Sequence, residues 1–250
     1  MSDGAGETER LDEALEGSFL ALGSLEPGVL GLGHLRPHST PDGKVILWPR
    51  NALGRQRLIR REGGGALFVT QGLSYPFDPS LHGPGAAPLG YELAVELPAE
   101  EPMGAGTVAS SSHEELANAW PVHALWFLAH CYLEDRWEIF GRLRYFGGLI
   151  TGFVPILPGL ERLRTPQGFV GAIVGMPLSV EAPFSAESQH VLAERGGHVS
   201  RLVMITLLTA DEYAYVTGVE DSSRALALAA RFRSTHGHRS STVRPSALPS

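Results

Sequence analysis

The sequence predicts an α+β fold, a single domain in which a mixed or antiparallel sheet packs against helices, and three stretches carry that expectation. "GYELAVELP", Gly90 to Pro98, alternates apolar and polar residues at a period of two, the pattern of a strand with one face on a core. "ALFVTQGLS", Ala66 to Ser74, begins β-branched and apolar enough for an interior strand. "PVHALWFLAHCYLEDRWEIF", from Pro121, is apolar almost all round, as a helix lying in the interior or beneath a sheet must be.

Taken in order, the chain opens on an acidic segment with a helix over 1–23. After six residues expected to lack structure, Leu11, Leu15, Phe19 and Leu22 share one helical face, and Gly23 suits the stop. The main domain is expected over 24–233. Its Gly- and Pro-rich opening leads to "KVILWP", whose proline marks an edge strand or a strand end. Gly63 to Gly65 precede a strand and so suit a hairpin turn or a connector; a phosphate loop needs its glycines after a strand. "YPFDPSLHGPGAAPLG" is read as a long loop. Ser112 with Glu115 has the spacing of a capping box, and Pro121 suits the first turn of the main helix. "GGLITGFVPILPG" is more strand and turn than helix. "TPQGFVGAIVGMP" is a turn and a small-residue strand in which Gly171 and Gly175 permit close approach of another backbone. "SAESQHVLAERGG" reads as a capped helix. "HVSRLVMITLLTADEYAYV" is a helix, or a helix plus a strand, with the boundary open, and "SRALALAARF" is a last short helix. Residues 234–250 offer nothing to bury and are expected to form a disordered basic tail.

Composition excludes several classes. The 250 residues include 43% hydrophobic and 19% charged residues, a balance that folds. With 27 acids against 20 bases and a net charge of -7, the chain repels a phosphate backbone, so nucleic acid is not the expected partner. The single cysteine, Cys131, cannot close an intramolecular disulfide, and the acidic start lacks the marks of a signal peptide; both fit a reducing cytoplasm. Apolar runs such as "LVMITLL" fall far short of the roughly 20 residues that span a bilayer.

Five residues are candidates for partner binding. Glu92 and Glu96 fall on the polar face of the alternating strand. That face is expected in solvent, either as a soluble surface or as an acidic patch for a basic partner. Tyr75, Phe77 and Asp78 sit in a Pro-rich loop after a strand, where aromatic rings either anchor a partner or fold inward and pin the loop. His123, His130 and Glu134 form one stripe on the main helix, with His130 and Glu134 spaced to chelate, but two neighbouring ligands do not make a metal site. Cys131 lies among Ala129, Tyr132 and Leu133 on a helix read as buried, where thiols are inert. His236 and His238 are read as solvated. No catalytic residue, metal or cofactor is expected.

"TQGLSYPF", "GYELAVELP", "WPVHALWFLAHCYLE" and "TPQGFVGAIVGMP", in that order, resemble the suppressor-of-fused domain, with its GLS turn, aromatic-Glu-Leu strand, Trp-Pro helix start and Thr-Pro-x-Gly strand. The likeness runs from Trp48 to Val216; the small-residue strand and the arginine-containing tail depart from it. The resemblance implies an α+β domain that binds protein and catalyses nothing. Animal members carry a second domain and hold a zinc-finger transcription factor in the cytoplasm, a role that does not transfer without that domain. Short, mostly bacterial members are thought to act as immunity proteins that neutralise toxins. The expectation is therefore a non-enzymatic immunity-type or regulatory binder of a protein partner. Two rivals stand beside it: a metal-dependent hydrolase using His123, His130 and Glu134, and a scaffold that takes a peptide by strand addition, for example at "KVILWP".

Overall fold

The structure, a computed structural model, describes residues 3–30, 55–75, 91–134, 148–176, 201–235 and 239–249. Among these, seven strands form one mixed sheet: β1 (Ser24–Leu25), β2 (Gln56–Arg60), β3 (Ala66–Thr70), β4 (Tyr91–Leu97), β7 (Ile150–Pro155), β8 (Phe169–Met176) and β9 (Arg201–Leu207), in the order β1-β2-β3-β4-β9-β8-β7. β5 (Pro102–Met103) and β6 (Gly106–Thr107) make a separate small hairpin. The helices are α1 (Asp3–Leu20), α2 (His113–Ala117), α3 (Trp120–Glu134), α4 (Ala210–Thr217) and α5 (Ser223–Thr235).

The pairings follow from local sequence where the strands are close in the chain. Gly63 and Gly64, both at positive φ (82° and 85°), turn the chain between β2 and β3, and Arg61 N–H donates to the Gly65 carbonyl at 2.9 Å. This is the hairpin expected of the three glycines. β3 pairs antiparallel with β4, and β7 and β9 both pair antiparallel with β8. The one parallel pairing joins β4 to β9, from Tyr91↔Arg201 to Ala94↔Met204. It unites two antiparallel halves.

Both faces of the sheet are covered. One carries α3, whose Val122, Leu125, Leu128 and Ala129 share a core with Phe68, Tyr91, Leu93 and Val95. On the other, Leu15 and Phe19 of α1, Val216 of α4, and Leu228 and Phe232 of α5 pack over Leu67, Val69, Ala94, Ile173 and Met204. The α3 layer is the one the apolar Pro121 stretch predicts. The second helical layer turns β4 into a central strand buried on both faces.

The local signals hold at most of the elements. Ser112 and Glu115 form the expected capping box, and Pro121 lies in the first turn of α3. α1 already begins at Asp3, inside the six residues expected to lack structure. The open boundary resolves as strand then helix: β9 ends at Leu207 and α4 starts at Ala210, where Thr209 and Glu212 form a second capping box. Gly171 is close-packed for a different reason from the one expected. A Cβ there would lie 2.2 Å from Cδ2 of Tyr213, so the glycine admits an aromatic ring from α4 rather than a backbone. Gly175, at φ 108°, sits in the bulge between Val174 and Met176. "KVILWP", most of the Pro-rich loop after Tyr75, and "SAESQHVLAERGG" lie outside the described residues.

The expected disordered tail is corrected. Residues 234 and 235 finish α5, and within 239–249 Ser240, Ser241 and Thr242 are buried while Ala247 and Leu248 pack against the second core. Hydroxyl and guanidinium groups hold this stretch in place, so its lack of apolar residues did not leave it without partners.

Candidate functional site

The two glutamates expected in solvent are both inside. Glu92 is 0% and Glu96 1% exposed, because α1, α4 and α5 cover the face of β4 that bears them. Alternation of polar and apolar residues reports two faces; it does not report that either is wet.

Glu92 organises the turn that follows β3. Its carboxylate accepts from Thr70 Oγ1 at 2.6 Å, from the backbone N–H of Gly72 (3.0 Å), Leu73 (3.3 Å) and Ser74 (3.0 Å), and from Ser74 Oγ at 2.6 Å. The run "TQGLS" therefore wraps one carboxylate oxygen pair. Burial pushes this carboxyl up to about 6, although the hydrogen bonds from Ser74, Thr70 and Gly72 pull the other way. At neutral pH it is ionised and accepts from all of them.

Tyr75, expected either to anchor a partner or to fold inward, folds inward: it is 0% exposed. Its hydroxyl donates to Asp12 of α1, which also accepts from Gln71 Nε2 and Arg55 Nη1, both at 2.7 Å. Burial first, then the Asp12 carboxylate, push the phenol well above its ordinary range. Tyr75 thus ties α1 to the sheet. Phe77 and Asp78 lie outside the described residues. Nothing in the sequence pairs Asp12 with the GLS turn; it reads as one of many early acids.

On α3, His130 is buried and its Nδ1 lies 2.7 Å from the Trp126 carbonyl, with the two rings 4.1 Å apart. His123 is half-buried on the same helix. Among the described residues, no three His, Cys, Asp or Glu side chains gather where a metal ion would sit. Cys131 is half-buried rather than enclosed, and unbridged. His236 and His238 lie outside the described residues.

The exposed chemistry lies elsewhere, on β7. Among the described residues this strand pairs only with β8 and closes the sheet at that side. Phe153 stands 51% exposed. Its ring meets Phe169 at 5.1 Å, and Phe169 in turn meets Tyr213 edge-on at 5.1 Å. Gly171, opposite Phe153, leaves room for the Tyr213 ring. The result is an aromatic step on the last strand of the described sheet. A cavity of about 310 Å³ adjoins the start of β7, lined by Ile150, Thr151, Val216 and Ala225 and rimmed by Glu220 and Asp221. Sequence reasoning read "GGLITGFVPILPG" as strand and turn without marking Phe153. The signal was a lone aromatic between glycine and proline in a strand-like run. No described helix is long and apolar enough to cross a membrane.

Compared with family models, curated proteins and solved structures, the chain matches none of them.

Proposed function

We propose that the chain is a non-enzymatic protein-binding domain of the suppressor-of-fused type, an immunity-type or regulatory protein of the cytoplasm that occludes a functional site on a protein partner. The observation that carries this reading is the exposed Phe153 on β7, the last strand of the described sheet, backed by Phe169 and Tyr213. A half-exposed aromatic with rigid support is the kind of residue on which binding energy concentrates. The ordered resemblance of four stretches to that family points the same way.

The place of β7 as the last strand of the described sheet favours one form of binding over others. An extended partner segment pairing with β7 would meet the backbone groups that no described strand pairs, and lay alternate side chains along the Thr151–Phe153 face. The strand-addition alternative thus moves from "KVILWP" to β7.

The test is co-purification of the tagged full-length protein beside its Phe153→Asp variant. Wild type is expected to recover one protein at equal stoichiometry, and the variant to lose it while still unfolding cooperatively, its stability lowered by only about 1 kcal/mol for the lost contact with Phe169. Equal recovery by both proteins, or no stoichiometric protein with wild type, overturns the reading.

A further inference from the structure

Three glutamates on the body of the protein face one segment. Glu96 lies on β4, Glu101 follows it, and Glu212 is in the first turn of α4; their exposures are 1%, 0% and 0%. Residues 239–249 answer each of them. Arg239 Nε lies 3.2 Å from Glu96 Oε1. Thr242 donates its N–H at 2.9 Å and its hydroxyl at 2.6 Å to Glu101 Oε1. Arg244 places Nη1 and Nη2 at 2.7 and 2.6 Å from the two oxygens of Glu212, which also accepts from Ala247 N–H at 2.8 Å.

Between these contacts Ser240 fills the fork where β4 and β9 part. Parallel pairing stops at Ala94↔Met204. Beyond it Ser240 donates its N–H to the Glu96 carbonyl at 2.8 Å, its hydroxyl donates to the Ile205 carbonyl at 3.2 Å, and the same oxygen accepts from Leu207 N–H at 3.1 Å. The segment takes the place of an inserted strand.

We propose that this fork and its row of buried carboxylates form a recognition site for an extended, basic, hydroxyl-bearing peptide, that residues 239–249 are its resident occupant, and that a partner segment with the pattern Arg-Ser-x-Thr-x-Arg displaces them. Charge is the first argument: the body supplies three acids, whereas "RSSTVRPSALP" supplies two arginines and no acid. Polarity is the second. In residues 239–244 Ser240, Ser241 and Thr242 are turned inward while Val243 is 43% exposed, so this part is held by polar contacts, and apolar packing enters only at Ala247 and Leu248. The third is energetic. Buried carboxylates cost desolvation that apolar residues of the same size avoid, so their return lies in selecting a partner of matching charge and spacing. The body also keeps contacts of its own at the site: Arg61 Nε lies 3.6 Å from Glu96, and Thr209 N–H donates to Glu212 at 2.9 Å.

This site is distinct from the β7 edge, and its test does not depend on it. A protease recognition sequence is inserted in the full-length chain between Thr235 and Arg239, the protein is cut, and a fluorescent peptide of residues 239–249 is added. Anisotropy and native mass spectrometry are expected to show one labelled peptide per body, with the far-UV circular dichroism unchanged. The Arg244→Glu peptide should bind more than about thirtyfold weaker, as loss of a buried charge pair at an interface requires. A foreign peptide that keeps only the two arginines, Ser and Thr at their spacing should compete, and a scrambled one should not. Failure of label to enter, unfolding as the native segment leaves, or equal competition by the scrambled peptide overturns the proposal.

Discussion

Glu92 and Glu212 are both 0% exposed, yet the protein accommodates them in opposite ways. Among the described residues Glu92 is met only by neutral donors, all from the five residues Thr70 to Ser74, just across the β3–β4 pairing. Glu212 caps its own helix through Thr209 N–H and is clamped by the Arg244 guanidinium, which also stands 4.7 Å over the Phe232 ring. Burial raises both carboxyls. For Glu92 it prevails, and the group is pushed up to about 6; for Glu212 burial is again the largest single influence, but Arg244 together with the Ala247 and Thr209 N–H groups outweighs it, and the group is held below the ordinary carboxylate range. Dipoles from a nearby turn seat a carboxylate but leave it close to protonation. A full positive charge from a distant segment keeps it ionised.

The strongest way to break the comparison is Arg244→Ala. It leaves Glu212 buried without its cation and should cost about 3–5 kcal/mol, read as a drop in the chemical-denaturation midpoint at pH 7. Glu212→Gln combined with Arg244→Met should recover much of the loss, because the charge and its partner leave together. Recovery limited to what either single variant shows would mean the segment is not held by this pair.

The next test uses pH and the opposite signs of the two groups. Folded Glu92 keeps its proton up to about 6, whereas the unfolded chain releases it near 4.5. Its contribution is therefore fully present below 4.5 and lost as pH rises through 6, by about 2 kcal/mol for a rise from 4.5 to about 6. Glu212, with a lowered folded value, contributes above its unfolded value of 4.5 and loses that contribution as pH falls through the folded value. Stability of wild type relative to Glu92→Gln should fall between pH 4.5 and 6.5, and stability relative to Glu212→Gln should fall on acidification below 4.5. A flat difference between wild type and Glu92→Gln across the first window removes the contrast.

The smallest effect sharpens the account of the turn. Thr70→Ser keeps the hydroxyl that donates to Glu92 and accepts from Leu93 N–H, and removes one buried methyl group. It should cost about 1 kcal/mol and leave the pH response of Glu92 intact. A changed pH response with Thr70→Ser would show that the methyl group, not the hydroxyl, places the carboxylate.

What the sequence makes legible is local. The capping box at Ser112, the helix entry at Pro121, the glycine hairpin and the strand character of Phe169–Met176 all depend on neighbouring residues, and all are present. The β4 alternation was also correctly a strand, but which side met water depended on α1, α4 and α5, elements far away in the chain. The upstream hydroxyls and N–H groups that bury Glu92 were in view as a "GLS" turn; only the β3–β4 register brings them to the carboxylate. Residues 239–249 failed the reading for the same reason. A polar stretch looks unstructured until Glu96, Glu101 and Glu212 are known to stand opposite it. Phe153 lay in a segment recognised as strand, and its exposure follows from β7 being the last strand of the described sheet.

The single parallel seam between β4 and β9 has a consequence for the chain as it leaves the ribosome. The hairpins of the first half can form as soon as they emerge, but β4 waits for β9, and the fork beyond Met204 waits longer still, for Ser240. Until then the nascent protein shows a central strand edge and carboxylates that lack their contacts with residues 239–249, the kind of surface that chaperones and proteases engage.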